Sequence, residues 1–252
     1  PIETPFGTLY GPNLTPDAQT GLGRWTADDF WRALHYGRAR DGRLLYPAFP
    51  YPDYTHVTRA DADAIYAYLQ SLPPVAQPNR AHALRFPYDT QLALAAWRVL
   101  FFTPGRCDGA AADPARGAQW NRGAYLVNGL AHCGACHTPR NALGASQASR
   151  ALGGGLIPGQ NWYAPALDAA SEAGVAHWPL DDVVALLRTG VTRAASATPA
   201  AAATPQASVS GPMAEVVLRS TQYLSDADAH AIAAYLQALP ERAAPPAPAI
   251  AA

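Results

Sequence analysis

The chain has 252 residues, of which 49% are hydrophobic and 15% are charged, and its formal net charge is -1. This length allows one or two folded domains, and the apolar content is ordinary for a globular protein. The near-zero charge excludes the strongly basic surface of a nucleic-acid-binding protein.

Capping signals predict two helices in the first part of the chain. Thr26 and Asp29 form a capping-box pattern that opens a helix, and Gly37 ends it. Thr58 opens a second helix that continues to the Leu-Pro pair at residues 72–73. Both segments carry apolar residues at helical spacing.

Two further helices are predicted in the middle of the chain. One covers residues 91–102, and its apolar run is too short to cross a bilayer. The other covers residues 116–130, where Gly123 permits close approach of the helix that carries Ile232 and Tyr235. No long run has the two-residue period of a strand, so the predicted fold class is all-α.

The chain also contains an internal repeat. Pro12 corresponds to Pro165 and Trp25 to Trp178, both at an offset of 153 residues (165 minus 12, 178 minus 25). After the Ala- and Pro-rich run from Ala194 to Ser208 the offset becomes 167, because this run is a predicted surface insertion in the second copy.

A C-x-x-C-H motif at residues 133–137 is the strongest chemical signal. Its thiols, Cys133 and Cys136, are placed to bind the vinyl groups of haem, and His137 is placed to ligate the iron. A thioredoxin-like motif would follow a strand, and a zinc site would need four ligands, whereas the other cysteine is the isolated Cys107. We therefore predict one covalent haem c.

Met213, the single methionine of the chain, is the candidate for the second axial position. It lies in a Gly-Pro segment downstream of His137, where a returning loop would reach the opposite haem face. The alternative is that it fills a gap in the core, as many methionines do. With histidine and methionine both bound, the iron would transfer electrons and would not activate a substrate.

The repeat predicts cytochrome c-like domains in tandem, the first of them incomplete. Projecting the haem motif back by 153 residues places its counterpart in the first copy before Pro1. At the offset of 167, Met213 and Leu224 correspond to Tyr46 and Val57. No haem is expected in the first copy. The expected parts are a truncated domain at 1–88, a connecting helix and loop at 89–115, a complete domain at 116–241 and a tail at 242–252.

Several strings of the sequence resemble the multi-haem cytochrome c subunit of membrane-bound alcohol and gluconate dehydrogenases. They include Leu45–Tyr51, Asn121–Val127, His132–Asn141, Gly211–Val217 and Ser220–Leu224. The resemblance implies electron transfer from a dehydrogenase subunit with a quinone, flavin or molybdenum cofactor to ubiquinone or a terminal oxidase. It also implies a periplasmic location, since haem c is attached after export.

Three further residues are expected beside the haem. Pro165 corresponds to the proline whose carbonyl accepts a hydrogen bond from the ligand histidine, although it could be a simple turn residue. Arg140 and Trp178 are candidate partners of the haem propionates, and Trp178 is as compatible with the core.

Two other classes of function stay open at this point. A haem enzyme of the di-haem peroxidase type would need Met213 to dissociate from the iron. Alternatively, residues 1–88 would form a haem-free docking module, because the truncated copy leaves the apolar face of its Asp61–Leu72 helix uncovered.

Overall fold

The computed structural model describes residues 1–106, 112–192 and 207–242. Cys107, most of the predicted insertion and the tail beyond Arg242 lie outside these ranges. The chain divides into two compact units, one comprising Pro1–Ala111, Asn128–His132 and Pro158–Asn161, the other Ala112–Val127, Cys133–Ile157 and Trp162–Ala252.

The first unit is mainly helical and has one small sheet. Its helices are α1 (Ala27–Tyr36), α2 (Tyr51–Tyr54), α3 (Arg59–Ser71) and α4 (Gln91–Phe101). Its antiparallel sheet has the order β1 (Ile2–Thr4), β2 (Gly7–Leu9) and β3 (Ala83–Leu84). In register, Ile2 pairs with Leu9 and Gly7 pairs with Leu84.

Local capping explains where α1 begins and ends. The Thr26 hydroxyl accepts a hydrogen bond from the Asp29 N–H at 3.1 Å, and the Asp29 carboxylate accepts one from the Thr26 N–H at 3.0 Å. Gly37 then ends the helix in the left-handed conformation with φ of 57°. The predicted capping box and stop are confirmed.

The second unit contains five α-helices and one hairpin among its described residues. The helices are α5 (Ala118–Tyr125), α6 (Gly134–His137), α7 (Leu180–Thr189), α8 (Pro212–Arg219) and α9 (Asp226–Gln237). The hairpin pairs β4 (Gly153–Ile157) with β5 (Trp162–Ala166), with Gly155 opposite Ala164.

Helices α5 and α9 cross at Gly123. A Cβ atom at Gly123 would lie 2.0 Å from the Ala231 carbonyl oxygen and 2.7 Å from the Tyr235 Cβ. Because only glycine allows this approach, the predicted crossing of the two helices is confirmed. The contact buries Ile232, which is 2% exposed.

The two units share equivalent elements at the offsets found in the sequence. Helices α1 and α7 begin 153 residues apart (180 minus 27), and each ends at a left-handed glycine. Before each of them the same turn occurs, with Trp25 N–H bonded to the Leu22 carbonyl and Trp178 N–H bonded to the Val175 carbonyl.

Within the described residues, helix α3 of the first unit is more exposed than its counterpart α9 in the second. Ile65, the counterpart of Ile232 at an offset of 167, is 36% exposed, and Tyr68 is 65% exposed. These two apolar side chains of α3 are therefore exposed in the described part of the chain, and the docking role expected for residues 1–88 stays a prediction.

The predicted fold class and the predicted helix at 116–130 both differ from the structure. The fold is predominantly helical, but the all-α prediction missed five short strands among the described residues. The helix predicted at 116–130 is α-helical only to Tyr125, and Leu126–Leu130 form a π-helical turn. Strands this short are stabilised by pairing with distant residues and carry little periodic signal.

Candidate functional site

The C-x-x-C-H motif forms one tight helical turn. The N–H groups of Cys136 and His137 both bond to the Cys133 carbonyl, at 3.3 and 3.0 Å. Spacing of three residues in a helix places two side chains on neighbouring positions of one face, so Cys133 and Cys136 are directed to the same side. The Cys133 N–H bonds to the Val127 carbonyl at 3.0 Å and ties the motif to the residues after α5.

His137 is oriented by the backbone of β5. Its Nδ1 lies 2.7 Å from the Pro165 carbonyl oxygen. Because a carbonyl only accepts, Nδ1 carries the hydrogen and donates it, which leaves the Nε2 lone pair available for a metal ion. Burial lowers the pKa of His137, against the opposing effect of the Pro165 bond, so the neutral imidazole is favoured.

Glu172 supports the end of β5 that carries Pro165. Its carboxylate accepts hydrogen bonds from the Ala166 N–H at 2.6 Å and from the Tyr163 hydroxyl at 3.0 Å. Burial, followed by the bond to Glu172, raises the pKa of Tyr163 to about 12. This carboxylate was not singled out from the sequence, since an isolated glutamate in a loop carries no recognisable pattern.

The raised pKa of Tyr163 predicts a loss of stability in alkali. The folded state binds the phenolic proton more tightly than the unfolded chain, so this contribution is complete below pH 10 and is lost as the pH rises through about 12. At neutral pH the wild type should have a larger free energy of unfolding than Tyr163→Phe. This difference should shrink by at most about 2 kcal/mol in alkali.

Urea unfolding of both proteins at pH 8 and pH 11.5 measures this difference. Other alkaline transitions, including those of a bound cofactor, are common to the two proteins and cancel in the comparison. A wild-type advantage that stays constant between the two pH values would contradict the assignment.

Met213 lies in the first turn of α8, directly after Gly211 and Pro212. The sequence predicted a loop here, but Pro212 occupies the first turn of a helix, where its missing N–H costs no hydrogen bond. The Met213 side chain is half-buried. The segment therefore starts a helix with Met213 at its amino end.

The two candidate propionate partners are differently placed. The Arg140 guanidinium donates to the carbonyls of Gly144 and Ala135 at 2.9 and 2.8 Å. It therefore links the motif, through Ala135, to the residues that follow it. Trp178 is half-buried, and its carbonyl accepts a hydrogen bond from Gln237 at 2.6 Å.

Hairpin β4–β5 packs against the residues that follow His137. A Cβ atom at Gly155 would lie 2.7 Å from the Thr138 carbonyl oxygen, and the Leu152 N–H bonds to the Thr138 hydroxyl at 3.0 Å. Sequence reasoning missed this contact. The three consecutive glycines at 153–155 were the available signal for a close backbone approach.

A cavity of about 1570 Å³ lies in the first unit. Its walls include Pro12 and Trp25, the counterparts of Pro165 and Trp178, as well as Tyr46 and the fully buried Val57. The wall contains no methionine and no residue of the C-x-x-C-H motif. The cavity therefore occupies the place in the first unit that corresponds to the candidate site of the second.

The donors around His137 fit a covalently bound haem. Cys133 and Cys136 are half-buried on one short turn, and the imidazole has a fixed tautomer with Nε2 available. Within residues 1–106, 112–192 and 207–242, no three or more His, Cys, Asp or Glu side chains are grouped to hold a metal ion. The described residues thus provide no cluster of the kind that a structural zinc site requires.

None of the helices in the described part of the chain has both the length and the apolar content needed to span a bilayer.

Comparison with known proteins identifies relatives over nearly the whole chain, although no family model matches it. A nicotinate dehydrogenase subunit of Pseudomonas putida is 44% identical over 239 residues, which are 94% of this chain and 19% of that protein. The cytochrome c subunit of the quinone alcohol dehydrogenase of Gluconobacter oxydans is 39% identical over 249 residues, or 95% and 48% of the two chains.

A third relative matches most of its own length. The diheme cytochrome c-type protein of Cereibacter sphaeroides is 37% identical over 239 residues, which cover 95% of this chain and 74% of that protein. The chain spans about half or less of the longer dehydrogenase relatives. On these comparisons it belongs to the family of multi-haem cytochromes c that includes the electron-transferring cytochrome c subunits of alcohol, fructose and gluconate dehydrogenases.

Proposed function

We propose that this chain carries electrons through one haem c that is bound covalently by Cys133 and Cys136, with His137 and Met213 as its axial ligands. The observation that supports this most directly is the 2.7 Å contact between His137 Nδ1 and the Pro165 carbonyl oxygen. It orients the ring of the motif histidine as an iron ligand requires. When bound, a haem with histidine and methionine ligands supplies one-electron chemistry at a raised potential.

The protein residues have separate tasks in this proposal. Cys133 and Cys136 hold the haem, and His137 presents Nε2 while Pro165 fixes its tautomer. Arg140 holds the turn through the Ala135 carbonyl, and Trp178 stands as a neutral partner for a propionate. With His137 and Met213 both bound to it, the iron would offer no position to a substrate.

The dehydrogenase relatives supply the context of the reaction. Their names describe cytochrome subunits of alcohol, fructose and gluconate dehydrogenases. We therefore propose that the chain accepts electrons from a dehydrogenase subunit with a quinone, flavin or molybdenum cofactor and passes them towards ubiquinone or a terminal oxidase. Since covalent haem c is attached after export, the proposed location is the periplasm.

We further propose that the two units are cytochrome c-like domains in tandem. Equivalent helices at fixed offsets, the paired left-handed glycines and the shared turn before Trp25 and Trp178 support this arrangement. The first unit carries the cavity but has neither the motif nor a methionine in its wall. The residues of this chain therefore attach one haem, in the second unit.

Haem quantification tests the proposal. Pyridine haemochrome analysis of the protein made in a host that matures haem c should give about one haem per polypeptide. In denaturing gels the haem should stay with the wild type and should be lost in the double variant Cys133→Ala/Cys136→Ala.

The outcome also separates the alternatives. A value near two would show that the cavity of the first unit holds a haem without cysteines of this chain, and a value near zero would refute the proposal. Peroxide turnover at the loaded site would favour a haem enzyme.

The exposed face of α3 supports a second role for the first unit as a docking surface for the partner dehydrogenase. Tyr68 and Ile65 are the exposed apolar residues of this surface. Replacing Tyr68 by Ser should weaken binding to the dehydrogenase subunit, and unchanged binding would exclude this surface.

A further inference from the structure

Strand β5 contacts the surroundings of both proposed iron ligands. Near one end, the Pro165 carbonyl accepts the hydrogen bond from His137. At the other end, the Trp162 indole lies against the backbone of Gly211, two residues before Met213. The strand is only five residues long, so these two contacts are held at a fixed separation.

Gly211 is required for the second contact. Its φ of 53° and ψ of -136° lie in a region that side chains with a Cβ rarely adopt. A Cβ atom there would lie 2.7 to 2.8 Å from three carbon atoms of the Trp162 ring. The indole therefore packs directly on the Gly211 backbone, in space that any other residue would occupy.

Backbone contacts to residues 190–191 hold the segment before Gly211. The Val209 N–H bonds to the Gly190 carbonyl at 2.8 Å, and Val191 pairs with Ser208 in an isolated β-bridge. The Ala214 N–H bonds to the Gly211 carbonyl at 3.1 Å and closes the turn that contains Met213. The Met213 turn is thus fixed to residues 190–191 and bounded by Trp162.

The hairpin itself is anchored to the haem-binding motif. Gly155 of β4 lies against the Thr138 carbonyl, and Gly155 pairs with Ala164 of β5. A chain of backbone contacts therefore runs from the residue after His137, through the hairpin, to Trp162. It ends on the turn that carries Met213.

We infer that hairpin β4–β5 sets the separation of the two axial ligands and that Trp162 is a positioning residue for Met213. This inference rests on the proposed function, in which Met213 ligates the haem iron. Trp162 as a whole is 46% exposed, so its indole lies at the protein surface beside the turn and limits outward movement of the turn. Without it, Met213 would leave the iron more often, and a competing ligand would bind.

Competition by imidazole measures this effect in the haem-loaded protein. Trp162→Ala should bind added imidazole to the ferric iron about tenfold more tightly than the wild type, and its Met-to-iron charge-transfer band should weaken. Trp162→Phe keeps an aromatic ring over Gly211 and should restore most of the wild-type value. A merely structural tryptophan would change unfolding without changing this affinity.

Leu156→Ala is the matched control. Leu156 lies in β4 opposite Tyr163 and is 54% exposed, similar to Trp162. Because Leu156 pairs with Tyr163, its side chain lies on the face of the hairpin opposite that of Trp162. Its truncation removes exposed apolar surface from the same hairpin, and the imidazole affinity should stay at the wild-type value. A gain equal to that of Trp162→Ala would overturn the inference.

Gly211→Ala tests the contact from its other side. The new methyl group would displace the indole, so the imidazole affinity should rise as in Trp162→Ala. If Trp162→Ala does not accumulate with haem, Gly211→Ala and Trp162→Phe test whether Trp162 positions Met213. Wild-type affinity in Gly211→Ala, or in a folded Trp162→Ala, would overturn the inference.

Met213→Ala separates this result from the proposed function. If Met213→Ala loses the charge-transfer band while the Trp162 variants keep wild-type imidazole affinity, the inference fails and the proposed function stands. If Met213→Ala keeps the band, methionine ligation fails, and the inference fails with it.

Discussion

Met213→Ala should convert the ferric haem from low spin to high spin and should lower its reduction potential. The thioether is a soft ligand that stabilises the reduced iron, and alanine leaves that position to water or an added ligand. Met213 is the only methionine in the sequence, so no other thioether of this chain can replace it. Carbon monoxide should then bind the reduced variant at neutral pH, whereas the wild type resists it.

Absorption spectra of both oxidation states and a potentiometric titration measure this change. Leu218→Ala is the control, since Leu218 lies on the same helix α8 and is 62% exposed. It should retain the spectrum and potential of the wild type. A low-spin Met213→Ala protein with an unchanged potential would exclude Met213 as a ligand.

Gly123→Ala should be the most destabilising single methyl addition in the second unit. The new Cβ would lie 2.0 Å from the Ala231 carbonyl oxygen, which belongs to the backbone of α9 and has little freedom to move. Overpacking of this kind costs about 3 kcal/mol when the helices must separate. Because α5 leads into the motif, the variant should also accumulate with less haem.

Urea unfolding, followed by circular dichroism, measures the cost. Gly117→Ala is the matched control, because Gly117 precedes the same helix and its added Cβ would meet no atom within 4 Å. It should change the free energy of unfolding by less than about 1 kcal/mol. Equal effects of the two substitutions would contradict a close crossing at Gly123.

Features that depend on neighbouring residues could be predicted from the sequence. The helix start at Thr26 and the stop at Gly37 follow from hydrogen bonds within a few positions, and both are present in the structure. The C-x-x-C-H motif is equally local. The crossing of α5 and α9 was also predictable, since Gly123 pointed to a close approach and the second helix was clear from its own pattern.

Other predictions failed where distant residues decide the conformation. The strands were missed because each is stabilised by pairing across a loop or across the length of a unit, as with Gly7 and Leu84. The Met213 segment was predicted as a loop, whereas Pro212 begins a helix there. The hydrogen bonds from Arg140 to the Gly144 and Ala135 carbonyls were also not evident from the sequence, and its role beside a haem propionate stays a prediction.

Residues close together in the chain were enough to indicate the haem-binding chemistry and the helix ends, because motif spacing and helix caps depend on near neighbours. The way in which the proposed ligands are held depends instead on packing between distant segments. Trp162 and Gly211 are far apart in the sequence, and their contact requires hairpin β4–β5 to be packed beside Thr138. Such an arrangement follows from the close fit of backbone segments in three dimensions, which no local pattern of residues specifies.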